Sequence, residues 1–208
     1  MSDSPHTPEH AAHPPGSCGC GSDAAPGPTA DAKVRAAAVN DAPAVGLVQA
    51  EVWRAAYADA VPAEVLATFD PAAFARVWRE SLSNPPAGPY RLLVACAGEQ
   101  VVGFAAVGPS PDPDRSAETA EILAMGVHPQ ARRAGHGSRL LQAAVDTLGA
   151  AGATEVNAWV LVDDQLSRGF LQAAGFGPDG AFRDRVVSPD DDVAREVRLV
   201  TRLVSDER

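Results

Sequence analysis

The chain has 208 residues and a single lysine, Lys33, against 27 acidic residues, for a formal net charge of −10. That balance argues against a nucleic-acid groove, which needs clustered cations, and mildly favours cationic amines as substrates. The shortage of lysine beside abundant Ala, Arg, Asp and Pro reads as a coding bias rather than a functional signal. Cysteine is scarce too. Cys18, Cys20 and Cys96 are too few and too badly placed for a disulfide framework, so a reducing, cytoplasmic setting is expected. No stretch approaches eighteen consecutive apolar residues, which excludes a membrane-spanning helix. The first residues lack both a basic start and an apolar core, so no signal peptide is expected.

What is present divides into two parts. Residues 1–31 are rich in Pro, Gly, Ser and Ala, contain no Lys or Arg, and show no apolar periodicity. They are expected to form a disordered tail. His6, His10, His13, Cys18 and Cys20 gather there, but their spacing fits no structural zinc pattern, so no metal site is assigned. A metal-responsive tail is the alternative. Residues 32–208 hold the apolar periodicity, and the chain is long enough for one domain plus this appendage.

Within that domain the stretch from Glu118 to Leu141 carries the strongest chemical signal. Apolar residues from Ile122 to Val127 read as a strand that Pro129 stops. Leu140, Leu141, Ala144, Val145 and Leu148 then recur at helical spacing. Between them lie Arg132, Arg133, Gly135 and Gly137. Glycines let a backbone approach a ligand closely, and a helix opening here presents unpaired N–H groups and the positive end of its dipole. With two arginines, that makes a phosphate or pyrophosphate site. The spacing is neither GxGxxG, which would need a third glycine at Arg139 or Leu140, nor GxxxxGK[ST].

The rest of the pattern gives the order β-α-α-α-β-β-β-α-β-α-β-β. A strand is expected over Lys33–Asn40, with Asp41 capping a helix that carries Val45, Val48, Val52, Trp53 and Ala56 on one side. Pro62 opens a short helical piece, and Asp70-Pro71 a helix directing Phe74, Val77, Trp78 and Leu82 inward. Tyr90–Ala97 and Val101–Val107 read as a hairpin. Thr154–Val162 reads as a strand buried on both faces. Asp163 or Asp164 caps a helix bearing Leu166, Phe170 and Leu171, which stops at Gly175. Gly180–Val187 and Ala194–Val204 close the chain.

The run Arg132-Arg133-Ala134-Gly135-His136-Gly137 matches the Q/R-x-x-G-x-G/A signature of the GNAT superfamily of acyl-CoA-dependent N-acetyltransferases. Met125-Gly126-Val127-His128-Pro129 resembles the end of that family's fourth strand, and Asp164 to Phe176 its block ending in Gly-Phe. The opening segment, with Trp53 and Tyr57, is similar as well, so the resemblance covers roughly residues 33–204. It implies an α/β (α+β) GNAT fold: a central mixed, mostly antiparallel sheet of about seven strands, helices on both faces, splayed between strands 4 and 5. It further implies acetyl-CoA as cosubstrate. The backbone of Met125, Gly126 and Val127 would pair with the pantetheine arm, and Arg132, Arg133, Ala134, Gly135, His136, Gly137 and Ser138 would surround the pyrophosphate, with Asp164 nearby.

A glutamate at the place of Glu121 serves as general base in the histone-acetylating branch. Beside the apolar Ile122 and Leu123 its carboxyl could have a raised pKa suited to that work. The alternative is a strand-start glutamate facing solvent or paired with an arginine, and Glu118 is the backup base. Three positions depart from the family. Leu171 stands where many members carry a proton-donating tyrosine, Asp164 where an asparagine is common, and Trp159 where protein N-terminal acetylators carry a glutamate. His136 is expected to face solvent or phosphate, and Cys96 to lie in the core. The expected activity is acetyl transfer to the primary amine of a small molecule or peptide by direct attack in a ternary complex. The other reading is a non-catalytic acyl-CoA sensor. No nucleic-acid or membrane partner is expected, and the closing strands leave an edge open to homodimer pairing.

Overall fold

The computed structural model describes Met1, residues 32–187 and residues 193–203. The tail reading for residues 1–31, with its His/Cys cluster, lies outside the described residues. So do residues 188–192, between the two closing strands, and the end of the last expected strand.

Seven strands form one sheet: β1 (Ala32–Ala36), β2 (Arg91–Ala97), β3 (Gln100–Pro109), β4 (Thr119–Val127), β5 (Glu155–Leu161), β6 (Gly177–Val186) and β7 (Val193–Arg202). Their spatial order is β1-β2-β3-β4-β5-β7-β6, and every neighbouring pair is antiparallel except β4–β5. Among the described residues five helices accompany them: α1 (Ala42–Ala56), α2 (Ala63–Ala67), α3 (Pro71–Ser83), α4 (His136–Ala150) and α5 (Gln165–Ala173).

Side chains of a strand alternate between faces, and β2 shows what that does here. Leu93 and Ala95 point into a core shared with Leu140, Leu141 and Leu148 of α4 and Leu171 of α5. Leu92, Val94 and Cys96 point the other way, into a core shared with Val45 and Val48 of α1. The sheet is therefore covered on both faces, and Cys96 is core as expected. Helices α1 and α3 touch through Gly46, where a Cβ would lie 2.5 Å from the Pro71 carbonyl oxygen.

The parallel pairing of β4 with β5 positions everything else. It runs from Thr119 opposite Glu155 to Ile122 opposite Ala158, then stops. At the same point β4 bulges against β3: Ala124 faces Ala106 and Ile122 faces Val107, which leaves Leu123 as the extra, exposed residue. A bulge bends its strand, and here it coincides with the parting of β4 from β5. The expected splay is present.

Several local expectations are corrected. The first strand ends at Ala36, not Asn40, because the Asp41 carboxylate accepts from the Ala38 N–H at 2.7 Å and from Arg35 at 2.6 and 2.9 Å. This turns the chain into a 3-10 turn, and the Asp41 side chain does not cap α1. Val77 and Leu166 do not face inward but are 65% and 60% exposed. Val77 is two positions from buried Ala75, about 200° round the helix. In β5, Val156, Asn157 and Ala158 are buried, whereas Trp159 and Val160 are only partly so, because β4 has already diverged. Asp70 and Asp164 do cap their helices.

Candidate active site

Past the bulge, the edge of β4 from Leu123 to Val127 faces no strand on the β5 side among the described residues. Its N–H and C=O groups can therefore pair with an extended ligand. Gly126 is buried there, with Met125 and Val127 half-buried. Beyond Val127 the chain turns through Pro129–Ala131 into the arginine/glycine loop. Arg132 Nε donates to the Val127 carbonyl at 3.2 Å, which fixes its guanidinium at the strand end. Arg133 takes φ 66° and Gly135 φ 81°, the left-handed region that favours glycine. These two turns allow α4 to begin at His136.

No side chain caps that helix. The first-turn amides, His136 to Ser138, are thus open to an anion at the positive end of a fifteen-residue helix. Arg133, Ala134, Gly135 and Ser138 are exposed around it, and the ring of Phe170 from α5 lies close to Gly137. A pyrophosphate fits this uncapped, glycine-lined helix end. His136 does not face solvent: its side chain is buried, and Nδ1 has no partner among the described residues. Burial, helped by Arg139, lowers its pKa. Both oxygens of Asp164 are committed to Ser167, at 2.9 Å to its N–H and 2.6 Å to its hydroxyl.

Glu121 sits where β4 and β5 are still paired, one residue before the separation begins. It is 4% exposed. Its Oε2 accepts from Asn157 Nδ2 at 2.9 Å and from the Ser110 hydroxyl at 3.3 Å. Burial pushes its pKa up, with the nearby Asp112 adding to the rise, while the Asn157 bond, Arg183 and Ser110 oppose it. Glu118, the backup, is exposed and accepts from the Thr154 hydroxyl.

Glu121 lines a cavity of about 270 Å³. Trp53, Tyr57 and Phe69 from the helical segments close one side of it, and Trp159, Arg183 and Glu196 another. Trp53 and Tyr57 each pack against Phe69 with ring centroids 5.8 Å apart. Burial raises the Tyr57 pKa, so its hydroxyl keeps its proton through neutral pH.

A buried ionic network holds the far wall. Arg198 on β7 reaches Asp112 at 2.9 Å, Asp114 at 2.6 Å and Asp179 at 2.9 Å. Asp112 in turn accepts from Trp159 Nε1 at 3.0 Å and lies 3.5 Å from Asn157 Nδ2. The β3–β4 loop is thereby tied to the two residues that position Glu121 and face the cavity. Sequence reasoning missed Asp112, Asn157, Arg183, Glu196 and Arg198. Asn157 had one signal, as a polar residue on a strand that reads as buried on both faces, whereas Asp112 lies in the β3–β4 loop and Arg183, Glu196 and Arg198 stand on strands with several charged residues.

An open strand edge, an uncapped glycine-turn helix and a carboxyl buried at the parting of two parallel strands thus lie together in one mixed α/β fold. The chain belongs to the acetyltransferase (GNAT) family, whose model matches residues 52–176. No protein of curated function matches it significantly in sequence. Similar solved structures include the PaiA N-acetyltransferase of Thermoplasma acidophilum in complex with coenzyme A, at 19% identity and TM-score 0.59, covering 79% of this chain and 97% of that one. A Salmonella typhimurium structure holding its cofactor acetyl-CoA has 19% identity and TM-score 0.61, covering 85% and 96%. The ribosomal-protein-alanine N-acetyltransferase of Brucella melitensis has 21% identity and TM-score 0.61, covering 82% and 99%. Among the described residues no helix is long and apolar enough to cross a membrane, and no group of metal-ligating side chains occurs.

Proposed function

We propose that the protein moves an acetyl group from acetyl-CoA to a primary amine by direct attack within one ternary complex, with Glu121 as general base. The observation that carries this reading is Glu121 itself: a buried carboxyl with a raised pKa, at the point where β4 leaves β5, lining a cavity of small-molecule size. The bound cosubstrate supplies an activated thioester carbonyl. The open edge formed by Met125, Gly126 and Val127 aligns its arm, and the amides from Arg132 to Ser138 with the two guanidiniums hold its pyrophosphate.

An amine enters as an ammonium ion and must lose a proton before it attacks. With Oε2 of Glu121 held by Asn157 and Ser110, Oε1 is the atom left to accept that proton, directly or through one water. Trp53, Tyr57 and Phe69 give the cavity an apolar wall. Leu171 is buried in the core and donates nothing, so the thiolate departs without a proton from α5. That same residue motivates the second reading, a module that binds acyl-CoA without turnover.

Calorimetric titration with acetyl-CoA tests the cofactor half of the proposal. One-to-one binding is expected, weakened about tenfold in Gly135→Ala, because a Cβ at this left-handed position costs about 1–2 kcal/mol and drives the free loop into another conformation that binding must reverse. Equal affinity in that variant would show that the loop does not hold the cofactor.

A further inference from the structure

We propose that the acceptor cavity contains an oxyanion subsite built on Arg183, so that the acceptor is a small apolar amine that also bears a carboxylate, as an apolar amino acid does. This rests on the acetyltransferase reading above and narrows its substrate class. Four observations carry it.

Arg183 is pre-organised. Its Nε donates to Glu196 Oε2 at 2.6 Å, and its guanidinium lies over the Trp159 ring with the central carbon 4.3 Å from the centroid. A guanidinium tied at Nε and stacked on one face presents its two Nη groups as a planar edge, the shape that takes a carboxylate in two parallel hydrogen bonds. Among the described residues neither Nη makes a hydrogen bond, and the side chain is 30% exposed, so the edge is reachable.

The local charge is also right. Glu196 is 8% exposed, and a second guanidinium, Arg185, lies 3.2 Å from the same Oε2. Two cations thus share one buried carboxylate in a wall of the cavity, although the chain as a whole carries −10. With Glu121 counted the charges of the cavity lining balance, so the Arg183–Arg185 end suits the anionic group of the acceptor and the Glu121 end its amine.

The two chemistries face each other. Glu121 and Arg183 line the same cavity, and Arg183 is near enough to act on the Glu121 carboxyl electrostatically. An amine at Glu121 and a carboxylate at Arg183 are the two ends of a short zwitterion. The size of the cavity, about 270 Å³, admits a small molecule, and Trp53, Tyr57 and Phe69 offer it an apolar wall.

The test uses the full chain with L-leucine, L-methionine and L-phenylalanine, each beside its carboxamide and its decarboxylated amine. The expected kcat/KM for the amino acids exceeds that for both analogues by tenfold or more. In Arg183→Gln kcat/KM for the amino acids falls tenfold or more, to the level of the analogues, mostly through KM, as loss of a charge-assisted pair implies. A merely structural role for Arg183 would lower all acceptors alike and overturn the proposal. So would amides or plain amines acetylated as well as the amino acids, an outcome that leaves the acetyltransferase reading standing. If no acceptor is acetylated, that reading fails, and tryptophan fluorescence decides the subsite on its own, because Trp159 lies beneath Arg183. A saturable change with the amino acids, absent with the plain amines and in Arg183→Gln, supports it; no such change overturns it.

Discussion

Replacing Glu121 with glutamine is expected to lower kcat by about 10²- to 10⁴-fold, the usual worth of a positioned general base, while acetyl-CoA affinity holds. The pH profile should change with it. Burial raises the Glu121 pKa, and a base works only when deprotonated, so wild-type kcat/KM falls as pH drops through that raised value. Glu121→Gln should lose this acidic limb. Stability should move the opposite way. The fold favours the protonated carboxyl, whereas the unfolded chain ionises at the ordinary carboxylate value, so an ionised Glu121 costs stability at neutral pH. The glutamine variant should therefore unfold at a higher temperature at pH 7, with the gain vanishing below the ordinary carboxylate range. Steady-state rates and thermal unfolding across pH check both halves. Unchanged turnover, or a surviving acidic limb, would move the base elsewhere.

Arg198→Met should produce the largest loss of stability. Arg198 is 5% exposed and binds three carboxylates, of which Asp112 and Asp179 are largely buried, at 12% and 22%. Removing one partner of a buried ion pair leaves the other uncompensated, which costs about 3–5 kcal/mol. The lower end is expected, because Asp114 is 59% exposed and regains water. The pH dependence has a definite sign. Arg198 holds Asp114 down to about 2, below the usual carboxylate range. A depressed pKa contributes stability above the unfolded value and loses it as pH falls through the folded one. The deficit of the variant is thus full at neutral pH and shrinks in acid, as chemical denaturation at a series of pH values would show. Activity should fall too, since Asp112 steadies Trp159 and borders Asn157. A variant as stable as wild type would mean that the β3–β4 loop is held by something other than this network.

The two halves of the site differ in how far the sequence reveals them. The arginine/glycine loop is local: strand, turn and helix follow one another within Glu118–Leu141, so periodicity and glycine placement expose it. Glu121 stands on the same strand, but the resemblance to the histone-acetylating branch, not periodicity, singles it out as the candidate base. The groups around it are not local. Asn157 meets Glu121 across 36 residues, Trp159 meets Asp112 across 47, and Arg198 meets Asp112 across 86. Only the sheet order, which places β7 beside β5, brings them together. Helix patterning erred at Val77 and Leu166 because an apolar residue does not by itself say which side of a helix is covered. Asp41 misled as a cap because Arg35, six residues earlier, claims its carboxylate.

The central claim is that this chain transfers an acetyl group to an amine at Glu121. Release of free thiol from acetyl-CoA, followed with and without amine acceptors on wild type and Glu121→Gln, addresses it most directly. The account predicts release that depends on both the amine and the wild-type carboxylate. Acetyl-CoA binding with no amine-dependent release would contradict it and leave a protein that binds the thioester without spending it.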